Sequence, residues 1–366
     1  MIHRFAERLL HTVARDDENL VCSPAGLWQA LAVMAAGARG ETADELRELL
    51  GVAGPDAADA SDPADASRAT LATGVWCRVP LREDFRARFP HVAFGGLGGL
   101  GGSGGLDDVA AIDAWVRAAT DGLVDRLPCA PDPETVLLLV SAFGVREVWR
   151  TPFDDQDTEY RPFTDARGGR DSVPTMTRRI PATDAWTVAG TQVVELACVR
   201  EELSVRLVLG QPGARPAEVL AAAWAPATAR TPLGADIDDV RIDVPRVWLR
   251  ESLDVTRHFP GLGLEWSPTE LADFSGMSEA PLALGAVLQE TLIDVSETGF
   301  EAASVTQVID WLDGPVQDGP RVRRISFDRP FGIVLLAAED LPLVTAWQAG
   351  LPHRRAVVRA LGNNSK

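Results

Sequence analysis

Apolar residues recur at helical spacing through the first fifty positions and again near residue 110, then give way to short alternating or continuous apolar runs. Over Met1 to Asp17, Phe5, Leu9, Leu10 and Val13 fall on one face among Arg and Glu, which predicts an amphipathic helix. Asn19 to Pro24 breaks it and predicts a short strand. Ser23 can cap the next helix with Pro24 at its first position, and Leu27, Leu31 and Met34 mark that helix's buried face. It ends at Gly37 to Gly40, and Thr42 opens a third helix with Glu45 at capping-box spacing.

Residues 52–68 are rich in Ala, Asp, Pro and Ser and predict an exposed, mobile connection. Ala72 to Val79 alternates like a strand. Gly95 to Gly105 is a glycine run without the strand-turn-helix frame of a phosphate loop, so it reads as a linker. Asp107 to Leu127 predicts an amphipathic helix with Ile112, Trp115, Val116, Leu123 and Leu127 on its apolar side. Glu134 to Val148 is nearly continuous in apolar residues, the pattern of a strand buried on both faces. Strand-like segments follow at 185–197, 202–209, 238–250, 286–296, 325–337 and 342–347. Helices first and strands afterwards, without regular alternation, predict an α+β domain: helices packed on a large central mixed β-sheet. No internal repeat is visible.

The composition narrows the function classes. Hydrophobic residues make up 46% of 366, enough for one large core. A net charge of −18 argues against nucleic acid or an anionic membrane surface as partner. Nearly every positive charge is Arg, Lys366 being the only Lys, which reads as the coding bias of a GC-rich genome. No secretory signal and no membrane-length apolar run is seen, so a soluble cytoplasmic protein is expected. Cys22, Cys77, Cys129 and Cys198 are widely spaced in apolar surroundings and read as buried free thiols. The five histidines (His3, His11, His91, His258, His353) have no metal-ligand spacing, and the acidic cluster Asp154, Asp155, Asp157 reads as a solvated turn. No metal or cofactor is expected.

Several segments, in order, resemble the serpin superfamily. Asn19 to Pro24, followed by Ala30 to Thr42, resembles its first conserved block. Leu139 to Phe153 resembles the central strand that ends in Trp149 and a Pro152-Phe153 pair. Val173 to Met176 resembles a short Val-Pro-Met-Met-like strand, and Asp273 to Leu282 a Leu-Ser-Gly turn. Ile293 to Ala303 resembles the hinge, and Phe327 to Phe331 the Asp-His-Pro-Phe-like strand beyond the loop. The resemblance runs from about residue 3 to 352, with 353–366 an extension. It implies a single serpin domain with two further β-sheets and a reactive-centre loop at about 297–325. It is read as a bacterial, actinobacterial-type member.

The resemblance also implies a mechanism. A serine or cysteine protease attacks the loop and forms an acyl-enzyme, and the cut loop inserts as a strand and traps it. The inhibitor catalyses nothing. The residues agree with such a loop: Ala302, Ala303, Ser304, Val305 and Thr306 are small or β-branched with no Pro, as a strand in mid-sheet requires. Gly299 reads as a glycine that turns the chain at φ > 0. By resemblance, Glu297, Gly299, Phe300, Glu301, Ala302 and Ala303 form the hinge, and Arg246 pairs with Glu297. Trp149, Arg246, Ser23, Ser141 and Gln289 mark where the sheet parts.

Counting forward from Glu297 by the family's spacing puts the reactive bond at Asp313-Gly314, which would suit an Asp-specific protease. Counting back from Pro330 lands near Gly319, about six residues on, which leaves Arg321, Arg323 or Arg324 as bait for a trypsin-like protease. Three positions depart from the family. Phe300 stands where inhibitory members have Thr or Ser, and as the first side chain to be inserted its ring would slow or prevent insertion. Ser141 replaces an Asn and Gln289 a His. The alternatives to a monomeric inhibitor are a non-inhibitory binding or chaperone-like serpin and, below that, an enzyme on the scaffold.

Overall fold

The computed structural model describes residues 1–60, 70–98, 105–120, 122, 124, 126, 135–301 and 321–352. The described residues form helices α1 (Ile2–Val13), α2 (Pro24–Gly37), α3 (Gly40–Leu50) and α4 (Gly105–Ala119) together with three sheets. α1 buries Phe5, Leu9, Leu10 and Val13, the face its spacing predicts. α2 is buried on every side, because its Ala-rich sequence lets neighbouring elements approach all round. The Ser23 hydroxyl caps it, accepting from the Gly26 amide at 3.1 Å, and Pro24 fills the first turn, where no amide donor is needed.

The central sheet is seven-stranded: β1 (Thr70–Cys77), β2 (Ala93–Gly96), β3 (Leu137–Gly144), β4 (Arg146–Val148), β5 (Val247–Asp254), β6 (Ala286–Val295) and β7 (Gly299–Glu301). All eight residues of β3 are buried, as its unbroken apolar run requires. β3 lies antiparallel to β1 and parallel to the first half of β6, where Leu138–Ala142 faces Ala286–Glu290. β5 runs antiparallel to β6. A second, antiparallel seven-stranded sheet contains Leu20–Cys22, Ala185–Val188, Thr191–Ala197, Ser204–Leu209, Thr231–Pro232, Phe331–Ala337 and Leu341–Gln348. A third, four-stranded sheet orders Val322–Ser326, Asp239–Pro245, Arg170–Pro181 and Glu159–Thr164.

Several expectations change. The third helix starts at Gly40, not Thr42, and Glu45 does not close a capping box on it. Thr42 instead accepts from the Asp273 amide, and the Glu45 carboxylate accepts from the Trp266 and Ser267 amides at 2.8 and 2.9 Å. Both side chains tie a distant loop to the helix. Within the connection at 52–68, Pro55–Ala60 is a helix that buries Ala57 and Ala58. The glycine run is part strand: Gly95 lies in β2, where a Cβ would come within 2.4 Å of the Trp76 ring.

The helix at 107–127 stops at Ala119. Gly122 at φ +77° closes it by donating its amide to the Arg117 carbonyl at 2.8 Å. Ile112 and Val116 face inward as expected, while Leu123 and Leu127 lie outside the described residues. Glu159–Thr164 is a strand without an apolar pattern, since only Phe163 is buried. The segment 238–250 is two strands in two sheets, broken at Arg246, which places Arg246 on the corner between them.

Candidate functional site

The seam between β3 and β6 closes at its lower end around a small polar cluster. Ser141 on β3 and Gln289 on β6 sit directly opposite each other. The Gln289 carboxamide donates to the Ser141 hydroxyl at 3.3 Å and to the Ser23 carbonyl at 3.1 Å, and its oxygen accepts from the Ser23 amide at 2.7 Å. The Ser23 hydroxyl donates to the Leu343 carbonyl at 2.6 Å. All three side chains are buried, so each bond removed would leave a desolvated polar group. A Cβ on Gly26 would lie 2.6 Å from the Ser141 hydroxyl, so α2 presses its backbone against this point.

At the upper end the two strands diverge and β7 fills the gap. Val295 and Asp294 of β6 pair with Phe300 and Glu301, and on the other side Val148, Glu147 and Arg146 of β4 pair with Gly299, Phe300 and Glu301. Gly299 is required by close approach and not by a left-handed turn. It is not among the positive-φ glycines, and a Cβ would sit 2.0 Å from the Glu147 carbonyl oxygen. The turn before it is closed by the Ser296 amide donating to the Gly299 carbonyl at 3.0 Å. Phe300 does not wait outside the sheet. Its ring is fully buried, in the apolar cluster that holds Trp149, Val247 and Val295.

Glu297 and Arg246 meet above β7. The guanidinium Nε and Nη2 reach one carboxylate oxygen at 2.7 and 2.6 Å, and the Thr158 hydroxyl donates to the same oxygen at 2.6 Å. Glu297 is 5% exposed, so this partnership satisfies a buried charge. Trp149 closes the turn from below: its amide donates to the Thr298 carbonyl at 3.1 Å and its indole N–H to the Ser296 carbonyl at 2.9 Å. A second ion pair, which sequence reasoning missed, joins Glu147 to Arg200 beneath the hinge. Burial pushes the Glu147 carboxyl up, against the opposing pull of Arg200. Burial, reinforced by the Glu147 charge, pushes the neighbouring Cys198 thiol up to about 12. No periodicity marks Glu147; the only signal is a carboxylate inside an apolar run.

Ala302, Ala303, Asp313 and Gly314 lie outside the described residues, as do the side chain of Glu301 and Cys129. The arginine alternatives are described, and the sheet uses them. Arg323 and Arg324 lie in the strand Val322–Ser326, parallel to Asp239–Pro245. Arg324 pairs with Asp243, and the Arg321 guanidinium lies 3.3 Å from Asp238. Drawing a bond at Arg323 or Arg324 into a protease cleft would break the ladder this strand makes with Asp239–Pro245.

The family model described as Serpin (serine protease inhibitor) matches residues 1–343. The chain belongs to the serpin family. Serpin B6 of Pongo abelii is 29% identical over 332 residues, covering 83% of this chain and 87% of its own length. Human Serpin B9 is 26% identical over 352 residues, covering 89% and 92%. Among solved structures, the native thermophilic serpin tengpin superposes with a TM-score of 0.80 at 20% identity, covering 96% of this chain and 93% of its own. Thyroxine-binding globulin in complex with thyroxine gives 0.77 at 19%, covering 96% and 99%. At those identities the two structures speak for the serpin fold alone.

Proposed function

We propose that this serpin inhibits a serine or cysteine protease by loop cleavage, strand insertion and trapping of the acyl-enzyme, acting as a monomeric suicide substrate without a cofactor and not as an enzyme. The observation that carries this reading is β7: the first three residues after the hinge turn already occupy a strand position between β6 and β4. A cleaved loop would extend a strand that exists, and would part β3 from β6 below it.

The reactive bond is assigned to Asp313-Gly314, in a loop whose small and β-branched residues suit a mid-sheet strand. That assignment points to an Asp-specific target. The similarity to Serpins B6 and B9 supports a protease partner, and a cytoplasmic, actinobacterial-type protein remains the reading of the sequence composition. Incubation with Asp-, Arg- and hydrophobic-specific proteases, followed by denaturing electrophoresis and mass mapping of the cut, tests it. The expected result is a complex that survives SDS, with cleavage after Asp313. Fragments alone, from every protease, contradict inhibition and favour a non-inhibitory serpin.

A further inference from the structure

Glu147 is buried deeply enough that its charge opposes folding, yet it sits in β4 directly opposite Phe300. Its partner Arg200 comes from the turn after the isolated Trp149–Cys198 bridge. The Arg200 guanidinium also donates to the Arg146 carbonyl at 3.3 Å, so one side chain holds two consecutive residues of β4. Those residues face Glu301 and Phe300 of the hinge strand. The Val199 amide, beside Arg200, donates to the Val148 carbonyl at 2.9 Å, opposite Gly299. Every residue of β4 that pairs with the hinge is thereby tied to the 198–200 turn of the neighbouring sheet.

We infer that Glu147 and Arg200 are positioning residues for loop insertion: their ion pair fixes β4 as a template that keeps Gly299–Glu301 in the sheet before cleavage. The pair complements Glu297–Arg246, which fixes the turn on the other side of the hinge. Glu147 is buried while the Arg200 side chain is 37% exposed, so the desolvation of the carboxylate offsets much of the attraction and the pair serves placement more than net stability. The inference rests on the inhibitory reading for its purpose, but the placement itself can be measured without a protease.

The experiment is hydrogen exchange of the intact chain, followed by mass spectrometry of peptides spanning 296–301, together with thermal unfolding. Arg200→Ala and Glu147→Gln are expected to speed exchange of the hinge amides about tenfold or more, while Arg200→Lys restores protection and Glu147→Gln leaves the melting temperature at neutral pH unchanged or higher. A merely structural role moves stability and exchange together. Unchanged hinge exchange in both variants overturns the inference, as does a global loss of protection that parallels a lower melting temperature. If hinge exchange responds as expected but no protease is trapped, the inhibitory reading fails and the template stands.

Discussion

The two ends of the β3–β6 seam solve different problems. At the lower end the strands pair directly, and Ser23, Ser141 and Gln289 join them with uncharged, fully buried hydrogen bonds. At the upper end the strands have parted, a third strand lies between them, and the fastenings are the ion pairs Glu297–Arg246 and Glu147–Arg200. The lower end resists opening because parting β3 from β6 breaks the Gln289–Ser141 bond and leaves the Ser141 hydroxyl buried without that partner. The upper end is already open and is held in register. On the inhibitory reading, such a sheet would open from the top down as one strand lengthens.

The contrast is broken most severely at the lower end. Gln289→Leu leaves the Ser23 amide and the Ser141 hydroxyl buried without their partner. At roughly 1–3 kcal/mol per unsatisfied group, chemical denaturation should show a loss of about 3 kcal/mol in global stability. Phe300→Thr acts on the upper end alone. It removes a ring whose burial is worth roughly 1.5–3 kcal/mol, but the strand can leave the sheet locally. Limited proteolysis at the hinge should accelerate with little change in global unfolding.

Arg246→Ala should cost about 1 kcal/mol, since the Arg246 side chain is 42% exposed and solvent screens the pair, and Thr158 still donates to Glu297. A double-mutant cycle with Glu297→Gln would isolate the coupling.

The smallest effect is in pH. Burial raises the Glu147 carboxyl, opposed by Arg200. The native state therefore takes up this proton at a higher pH than the unfolded chain does. The ionised group costs stability above its native value, and the cost is relieved as pH falls from there to the ordinary carboxylate range. Glu147→Gln should abolish that limb of a stability–pH profile, and no matching limb should arise from the uncharged lower cluster.

Much of this was legible in the sequence. The buried strand at 137–144 and the Ser23-Pro24 helix start each follow from local chemistry, and the tertiary structure uses them as they read. What was not legible depends on contacts distant in sequence. Glu45 lies three residues after Thr42, yet it serves a loop more than two hundred residues away. Gly299 reads as a turn glycine, but its necessity comes from the Glu147 carbonyl. The burial of Phe300 in an apolar cluster could not be read from its spacing from the hinge. Arg200 carries no local pattern at all.

Cleavage is expected to lengthen β7 into a full strand. Thermal unfolding of the protein before and after a single cut within 307–318 measures this directly. The cut protein should melt more than about 10 °C higher, a shift that takes roughly 8 kcal/mol in a domain of this size. An unchanged or lower melting temperature after cleavage would contradict it.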